Sequence, residues 1–273
     1  MADSHDISRG DYLLEVRGLF LKFGGVQVLG DVSTGVKKGE IFAVIGPNGA
    51  GKTCLLNCIN RFYHPNRGRI LFRGREINHL KAYDIAGLGI ARTFQNVELF
   101  KGMTVMDNIK LGRHVHLKTG IVSAGLYFGA ARRTELALRK EIEETIIDLL
   151  EIEHVRKRIV GTLPYGLQKR VELARALAMK PELLLLDEPV TGMNLEETED
   201  ITRLILDIHE EWGVTIVLIE HDMGVVMDIS DRVCVLDFGV KIAEGTPDEV
   251  RHDEAVIKAY LGEKDITYSR LGA

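Results

Sequence analysis

Short apolar runs alternate with amphipathic segments through the last third of the chain. Apolar residues recur at helical spacing over 168–179, 195–212 and 224–229, and form continuous runs over 183–186, 214–219 and 232–236. The first pattern predicts helices and the second predicts buried strands. Their alternation predicts a mostly parallel sheet joined by crossover helices. A hairpin partner at 240–243, a helix beginning at Pro247 and a last helix over 255–261 are predicted to follow.

Two segments depart from this alternation. Residues 12–23 alternate loosely, which predicts paired strands of an antiparallel edge. Residues 96–161 are helical in pattern, with Thr104 as an N-cap and Asp107 in the first turn of a helix. We therefore predict a single domain over 1–273, with a core from 1–95 and 162–273 and a helical insert at about 96–161.

The composition of the chain limits the kinds of partner it is expected to bind and the compartment in which it is expected to work. The formal net charge of −5 over 273 residues argues against nucleic acid as the main partner, because such proteins usually carry a basic excess. The three cysteines, Cys54, Cys58 and Cys234, show no metal-binding spacing, which favours a reducing compartment. The start of the chain has no secretory pattern, and no apolar run reaches the ~18 residues of a membrane span. Any role at a membrane is expected to depend on a partner.

A glycine-rich loop lies between an apolar strand over 40–45 and a helical segment over 54–59. The glycines let main-chain N–H groups approach a polyphosphate, and the helix start adds a positive dipole end. Lys52 adds a charge at the β- and γ-phosphates, and Thr53 offers a hydroxyl to Mg²⁺. The loop therefore predicts nucleoside triphosphate binding. It consists of Gly46, Pro47, Asn48, Gly49, Ala50, Gly51, Lys52 and Thr53.

Further candidate residues lie at predicted strand ends. Asp187 and Glu188 follow a buried strand, where Asp187 is expected to hold Mg²⁺ and Glu188 to polarise a water for attack on the γ-phosphorus. His221 ends the next strand and is a candidate sensor of the γ-phosphate. Gln95 precedes the helical insert, where it is a candidate contact for both metal and insert. Phe23 is a candidate for stacking on adenine, with an ordinary core position as the alternative.

These motifs, in this order and spacing, resemble the nucleotide-binding subunits of ABC transporters over essentially the whole chain. Within that family, the Tyr165-Gly166 pair, the 191–194 stretch, the 220–232 segment and the ending 259–262 look like the ATP-binding subunits of branched-chain amino acid importers. The resemblance implies a RecA-like P-loop NTPase core with a mostly parallel sheet. It also implies an N-terminal antiparallel β subdomain and an inserted α-helical subdomain.

The resemblance further implies a division of labour between subunits. Two ATPase subunits sandwich two ATP molecules with Mg²⁺, and each signature segment, here Leu163, Pro164, Tyr165, Gly166 and Leu167, contacts the ATP held by the other subunit. Phe23 then takes the adenine-stacking position and Cys54 joins the nucleotide-binding residues, while Thr53, Gln95 and Asp187 face the metal. The catalytic set becomes Lys52, Gln95, Glu188 and His221. Separate permease subunits, served by a substrate-binding protein, would hold the chain at the cytoplasmic face of the cell membrane.

The signature segment departs from the family's usual Leu-Ser-Gly-Gly-Gln. Pro164 has neither hydroxyl nor N–H, Tyr165 replaces a glycine, and Leu167 replaces a glutamine. A lost charge-assisted hydrogen bond is worth roughly 1.5–3 kcal/mol, so one ATP site of the dimer is expected to be slow. A second ATPase subunit of different sequence is therefore favoured over an identical copy.

Three alternatives remain at this point. The chain resembles, less closely, the ATPase subunits of lipopolysaccharide exporters. A soluble ABC-type ATPase acting on DNA or ribosomes would generally carry a coiled-coil insert or two fused halves, and a GTPase would carry the Asn-Lys-x-Asp motif; this sequence has none of these. The transported molecule stays open among branched-chain amino acids, other small acids, amides and urea.

Overall fold

A computed structural model describes residues 12–113, 136–137 and 139–260. The chain forms two compact units. Within the described residues, unit 1 contains 12–85 and 215–260, and unit 2 contains 86–113, 136–137 and 139–214. The predicted insert at 96–161 falls in unit 2 and stays a prediction, and its part at 114–135 lies outside the described residues.

Unit 1 contains an antiparallel sheet in the order β2-β1-β4-β5. Its strands are β1 (Tyr12–Phe23), β2 (Val26–Lys37), β4 (Arg67–Phe72) and β5 (Arg75–Glu76). The paired strands predicted within 12–23 are wrong, because these residues form one strand that pairs with β2 and β4. Register shifts along β1, including one between Val16 and Leu19, interrupt its in-and-out alternation and explain the error.

The second sheet of unit 1 has the order β10-β9-β3-β8. Its centre is β3 (Ile41–Ile45), where all five residues are buried because parallel neighbours flank it on both sides. The other strands are β8 (Thr215–Ile219), β9 (Arg232–Asp237) and the antiparallel β10 (Val240–Gly245). The helices of this unit are α1 (Lys52–Ile59), α6 (Met223–Ile229), α7 (Pro247–Arg251) and a final helix over 254–260.

Unit 2 pairs β6 (Ile90–Arg92) with β7 (Leu183–Asp187) in parallel. Its α-helices are α3 (Val105–Gly112), α4 (Tyr165–Leu177) and α5 (Leu195–Trp212), and α2 (Ala82–Gly87) lies where the chain passes into it. A helical segment over 139–149 contains the π-helical turn Ile142–Ile147, and short 3₁₀ turns follow at Glu153–Val155 and Val160–Thr162.

Local capping explains several helix boundaries. Thr104 accepts a hydrogen bond from the Asp107 N–H, which confirms the predicted start of α3. Asn194 and Glu197 form a reciprocal capping box that fixes the predicted start of α5. The predicted start of α4 at residue 168 is wrong by one turn, because the helix begins directly after Pro164.

Within the described residues, no helix has both the length and the apolar character to cross a bilayer.

Candidate functional site

The glycine-rich loop of unit 1 joins the end of β3 to the start of α1. Gly46 has φ +144°, and a Cβ there would lie 2.0 Å from the Leu236 carbonyl oxygen. Gly51 has φ +100°, and a Cβ there would lie 2.8 Å from a methyl of Leu29. Both positions therefore require glycine, in conformation and in space. The backbone can take the wrapped shape in which successive N–H groups converge on an anion.

Lys52 is the first residue of α1 and is only 8% exposed. Its Nζ donates hydrogen bonds to the carbonyl oxygens of Gly46, at 2.6 Å, and Pro47, at 3.0 Å. The ammonium group is therefore held against the loop that precedes it. This arrangement places a positive charge beside the glycine backbone and gives phosphate oxygens a cation at the helix start.

His221 lies at the same edge of the unit 1 sheet as the loop. The parallel register aligns Val44 of β3 with Ile219 of β8, so the segments after both strands begin at one level. The His221 side chain is 60% exposed, and its backbone N–H donates to the buried Glu220 carboxylate at 3.0 Å. Glu220 thus fixes the backbone of His221, and its Oε2 also lies 3.8 Å from the imidazole Nδ1.

In unit 2, the predicted magnesium ligand Asp187 ends β7 in a buried ion pair. Its Oδ2 accepts a hydrogen bond from Arg92 Nη2 at 2.6 Å, and both side chains are at most 3% exposed. Its Oδ1 is also buried and accepts no hydrogen bond from any described residue. A buried carboxylate oxygen with spare acceptor capacity fits Mg²⁺ or a water bound to it, because Mg²⁺ takes oxygen ligands and often only one carboxylate.

Glu188 follows Asp187 directly and has φ +50°. Its Oε2 accepts hydrogen bonds from Gln95 Nε2 at 2.8 Å and from Thr191 Oγ1 at 3.2 Å. Unit 2 therefore brings together three predicted site residues, Gln95, Asp187 and Glu188. The contacts of Arg92 and Thr191 were not predicted, although an arginine within the apolar run 90–94 is a signal that a buried acid lies nearby.

Comparison with known proteins decides the family. The family described as "ABC transporter" matches residues 29–191. This chain belongs to the ABC transporter family. A second family, described as "Branched-chain amino acid ATP-binding cassette transporter", matches residues 240–266 of this ABC protein. The predicted family, fold class and ATPase class are confirmed.

Similar proteins support this assignment along most of the chain. The ABC protein is 43% identical to the high-affinity branched-chain amino acid transport ATP-binding protein BraF of Pseudomonas aeruginosa, across 92% of this chain and 98% of that protein. It is 41% identical, with the same coverage, to LivG of Escherichia coli, which carries the same description. Among solved structures, an ATP-binding cassette of an ABC transporter in its ADP conformation superposes with a TM-score of 0.79 at 30% identity, covering 92% of this chain and 99% of that one.

The signature segment, residues 163–167, spans the start of α4 in unit 2. Leu163 is extended and buried, and its carbonyl accepts a hydrogen bond from Gln168 Nε2 at 2.8 Å. Pro164, at φ −54°, precedes the first turn of α4. Tyr165 is 42% exposed, and Leu167 is half-buried. A Cβ on Gly166 would lie 2.9 Å from a Glu197 carboxylate oxygen, so a larger residue here would require the Glu197 side chain to move.

The predicted adenine-stacking residue Phe23 ends β1 and is 47% exposed. Its ring meets the Tyr63 ring edge to face, with centroids 4.9 Å apart. The core alternative for Phe23 is therefore wrong. Tyr63 was missed from the sequence because it follows α1 by a few residues in an irregular segment, where spacing gives no signal.

Replacing Phe23 by alanine is expected to weaken ATP binding about 2- to 10-fold, the magnitude of one aromatic contact. Inorganic tripolyphosphate, which has no base, should bind the variant and the wild type equally in calorimetric titrations. Tyr83→Ala removes another exposed aromatic ring of unit 1 and is the matched control. An equal loss for ATP and tripolyphosphate would remove Phe23 from the adenine site.

Cys54 and Cys58 lie one turn apart on α1, directly after the loop. Burial raises the pKa of both thiols, and that of Cys58 reaches about 12. Both are therefore protonated and weakly nucleophilic at neutral pH. The assignment of Cys54 to the nucleotide-binding residues stays a prediction.

Proposed function

We propose that this ABC protein hydrolyses MgATP as the ATP-binding subunit of an importer. The observation that carries the proposal is the Glu188 carboxylate, held by the Gln95 amide and placed next to the buried acid Asp187. A carboxylate oriented by side-chain donors is suited to orient and polarise a water for attack on phosphorus. The loop with Lys52 supplies the triphosphate site that such a reaction needs.

We assign a role to each site residue. Residues 46–53 cradle the triphosphate, Lys52 neutralises charge on the β- and γ-phosphates, and Thr53, Gln95 and Asp187 serve the magnesium ion directly or through water. The magnesium ion held there would supply positive charge against the negative charge that develops on the phosphate oxygens. Glu188 orients the attacking water, and His221 donates to the γ-phosphate. Phe23 stacks on adenine, and Cys54 is among the residues that bind the nucleotide.

We further propose a second ATPase subunit and separate permease subunits as partners. The signature segment 163–167 would contact the ATP held by the second subunit, which we expect to be a chain of different sequence because Pro164 lacks both donors of the usual serine. Attachment to the permease would hold the protein at the cytoplasmic face of the membrane. The names of the relatives support branched-chain amino acids as the transported class.

Transport in reconstituted vesicles tests this proposal. The protein is assembled with its permease and second ATPase subunit in vesicles, so that the ATPase side faces outward, and MgATP is added outside. With the binding protein and one labelled solute at a time inside, we expect ATP-dependent release of leucine, isoleucine and valine, and much less release of acetamide or urea. ATP turnover that moves none of these solutes, or that instead extracts lipopolysaccharide from the bilayer, would contradict the importer.

A further inference from the structure

One face of α4 carries three charged side chains, Lys169, Glu172 and Arg175, at helical spacing. This set is called the charged face here. Lys169 and Glu172 are at most 5% exposed, which is unusual for charged residues and costs free energy unless they are paired. No role in the site has so far been assigned to them. Their partners lie in the segment 94–98, which includes Gln95.

The charged face binds the backbone of this segment. Lys169 Nζ donates to the carbonyl oxygens of Phe94, at 3.0 Å, and Gln95, at 2.9 Å. Glu172 Oε1 accepts from the Phe94 N–H at 3.2 Å, and Arg175 donates to the Glu98 carbonyl. The peptide groups on both sides of the Gln95 side chain are therefore held by α4.

The charges of Lys169 and Glu172 are complementary to the backbone groups that they contact. Lys169 offers donors to carbonyls, and Glu172 offers an acceptor to an N–H. The two charges lie 3.7 Å apart and compensate each other. Burial raises the pKa of Glu172 even so, while Lys169 and the backbone N–H groups of Phe94 and Glu98 oppose the rise. An apolar pair would pack here but would remove these hydrogen bonds to the peptide groups of 94 and 95.

We propose that Lys169 and Glu172 are positioning residues that set the place of Gln95 and, through its amide, of Glu188. The path is short: Lys169 holds the Gln95 backbone, and Gln95 Nε2 donates to Glu188 at 2.8 Å. It links the helix that begins in the signature segment to the carboxylate that orients water. The inference rests on the proposed function, because it assumes that Gln95 and Glu188 act in hydrolysis.

A double-mutant cycle between Lys169 and Gln95 tests this path in the assembled transporter. Lys169→Met is expected to lower kcat about tenfold or more, as for the loss of a charge-assisted hydrogen bond, and to leave KM for ATP nearly unchanged. Lys169→Arg should recover part of the rate. If Lys169 acts through Gln95, the variant with both Lys169→Met and Gln95→Ala will be no slower than Gln95→Ala alone. Lys140→Met, at an exposed lysine of the same unit, is the control.

The outcomes separate this inference from the proposed function. Losses that multiply in the double variant would show that Lys169 acts independently of Gln95 and would overturn the inference, as would a Lys169→Met kcat equal to wild type. If Gln95→Ala and Glu188→Gln themselves keep the wild-type kcat, the assigned roles fail first. If Lys169→Met does not fold, Glu172→Gln replaces it in the cycle, since it keeps an acceptor for the Phe94 N–H but removes the charge opposite Lys169. The decrease in kcat caused by Glu172→Gln must then also disappear when Gln95 is already replaced by alanine.

Discussion

Glutamine in place of Glu188 is expected to reduce ATP turnover by about 10²- to 10⁴-fold, the usual contribution of a positioned general base. Glutamine keeps the length and planarity of the side chain but loses the negative charge that polarises water. The neighbouring donors, Gln95 Nε2 and Thr191 Oγ1, still have a carbonyl oxygen to bind. The variant should therefore bind MgATP within about threefold of wild type, a change under 1 kcal/mol.

Phosphate release under single-turnover conditions, together with calorimetric ATP titration, measures the two effects separately. Glu199→Gln, at an exposed glutamate of α5, makes the same chemical change away from the site and should keep the wild-type rate. Turnover of Glu188→Gln near the wild-type value would remove Glu188 from its assigned role. A large loss of ATP affinity would mean instead that the carboxylate is needed to shape the site.

Replacing Lys52 by alanine is expected to weaken ATP binding by about 10- to 100-fold, because a charge-assisted hydrogen bond to phosphate is lost. The change also removes the two hydrogen bonds that tie the ammonium to the Gly46 and Pro47 carbonyls. Lys52→Arg should not restore the affinity, since the planar guanidinium is bulkier than the ammonium and this side chain is nearly buried.

Titration with MgATP and with tripolyphosphate measures this loss, and both ligands should be affected alike because the role proposed for Lys52 is to contact phosphate and not the base. Lys38→Ala, at an exposed lysine of unit 1, is the control. Unchanged affinity for both ligands would count against the loop as the phosphate site.

The features predicted correctly from the sequence depend on contiguous residues. The loop between β3 and α1, the acids at the end of β7 and the Thr104 cap each lie within a few residues, where spacing alone determines geometry. Family resemblance then supplied roles for single residues such as Phe23, whose exposed ring agrees with that role. How these residues act in hydrolysis stays a prediction.

The missed features depend on contacts between residues far apart in the chain. Strand β2 was not predicted, because Gly30 and Gly35 interrupt its apolar pattern. The strand is stabilised instead by its pairing with β1, whose register shifts at several points. The Arg92–Asp187 ion pair joins residues 95 positions apart, so spacing gives no indication of it. Charged residues at helical spacing usually predict a solvated surface, and only the structure shows Lys169 and Glu172 to be buried.

The backbone at Glu188 has one more consequence. A residue with a Cβ is disfavoured at positive φ by about 1 kcal/mol, and glycine would adopt this conformation freely. The backbone conformation alone would thus favour glycine at position 188, whereas the role proposed for Glu188 requires an acid there. On that assignment, backbone conformation and activity favour different residues at this position.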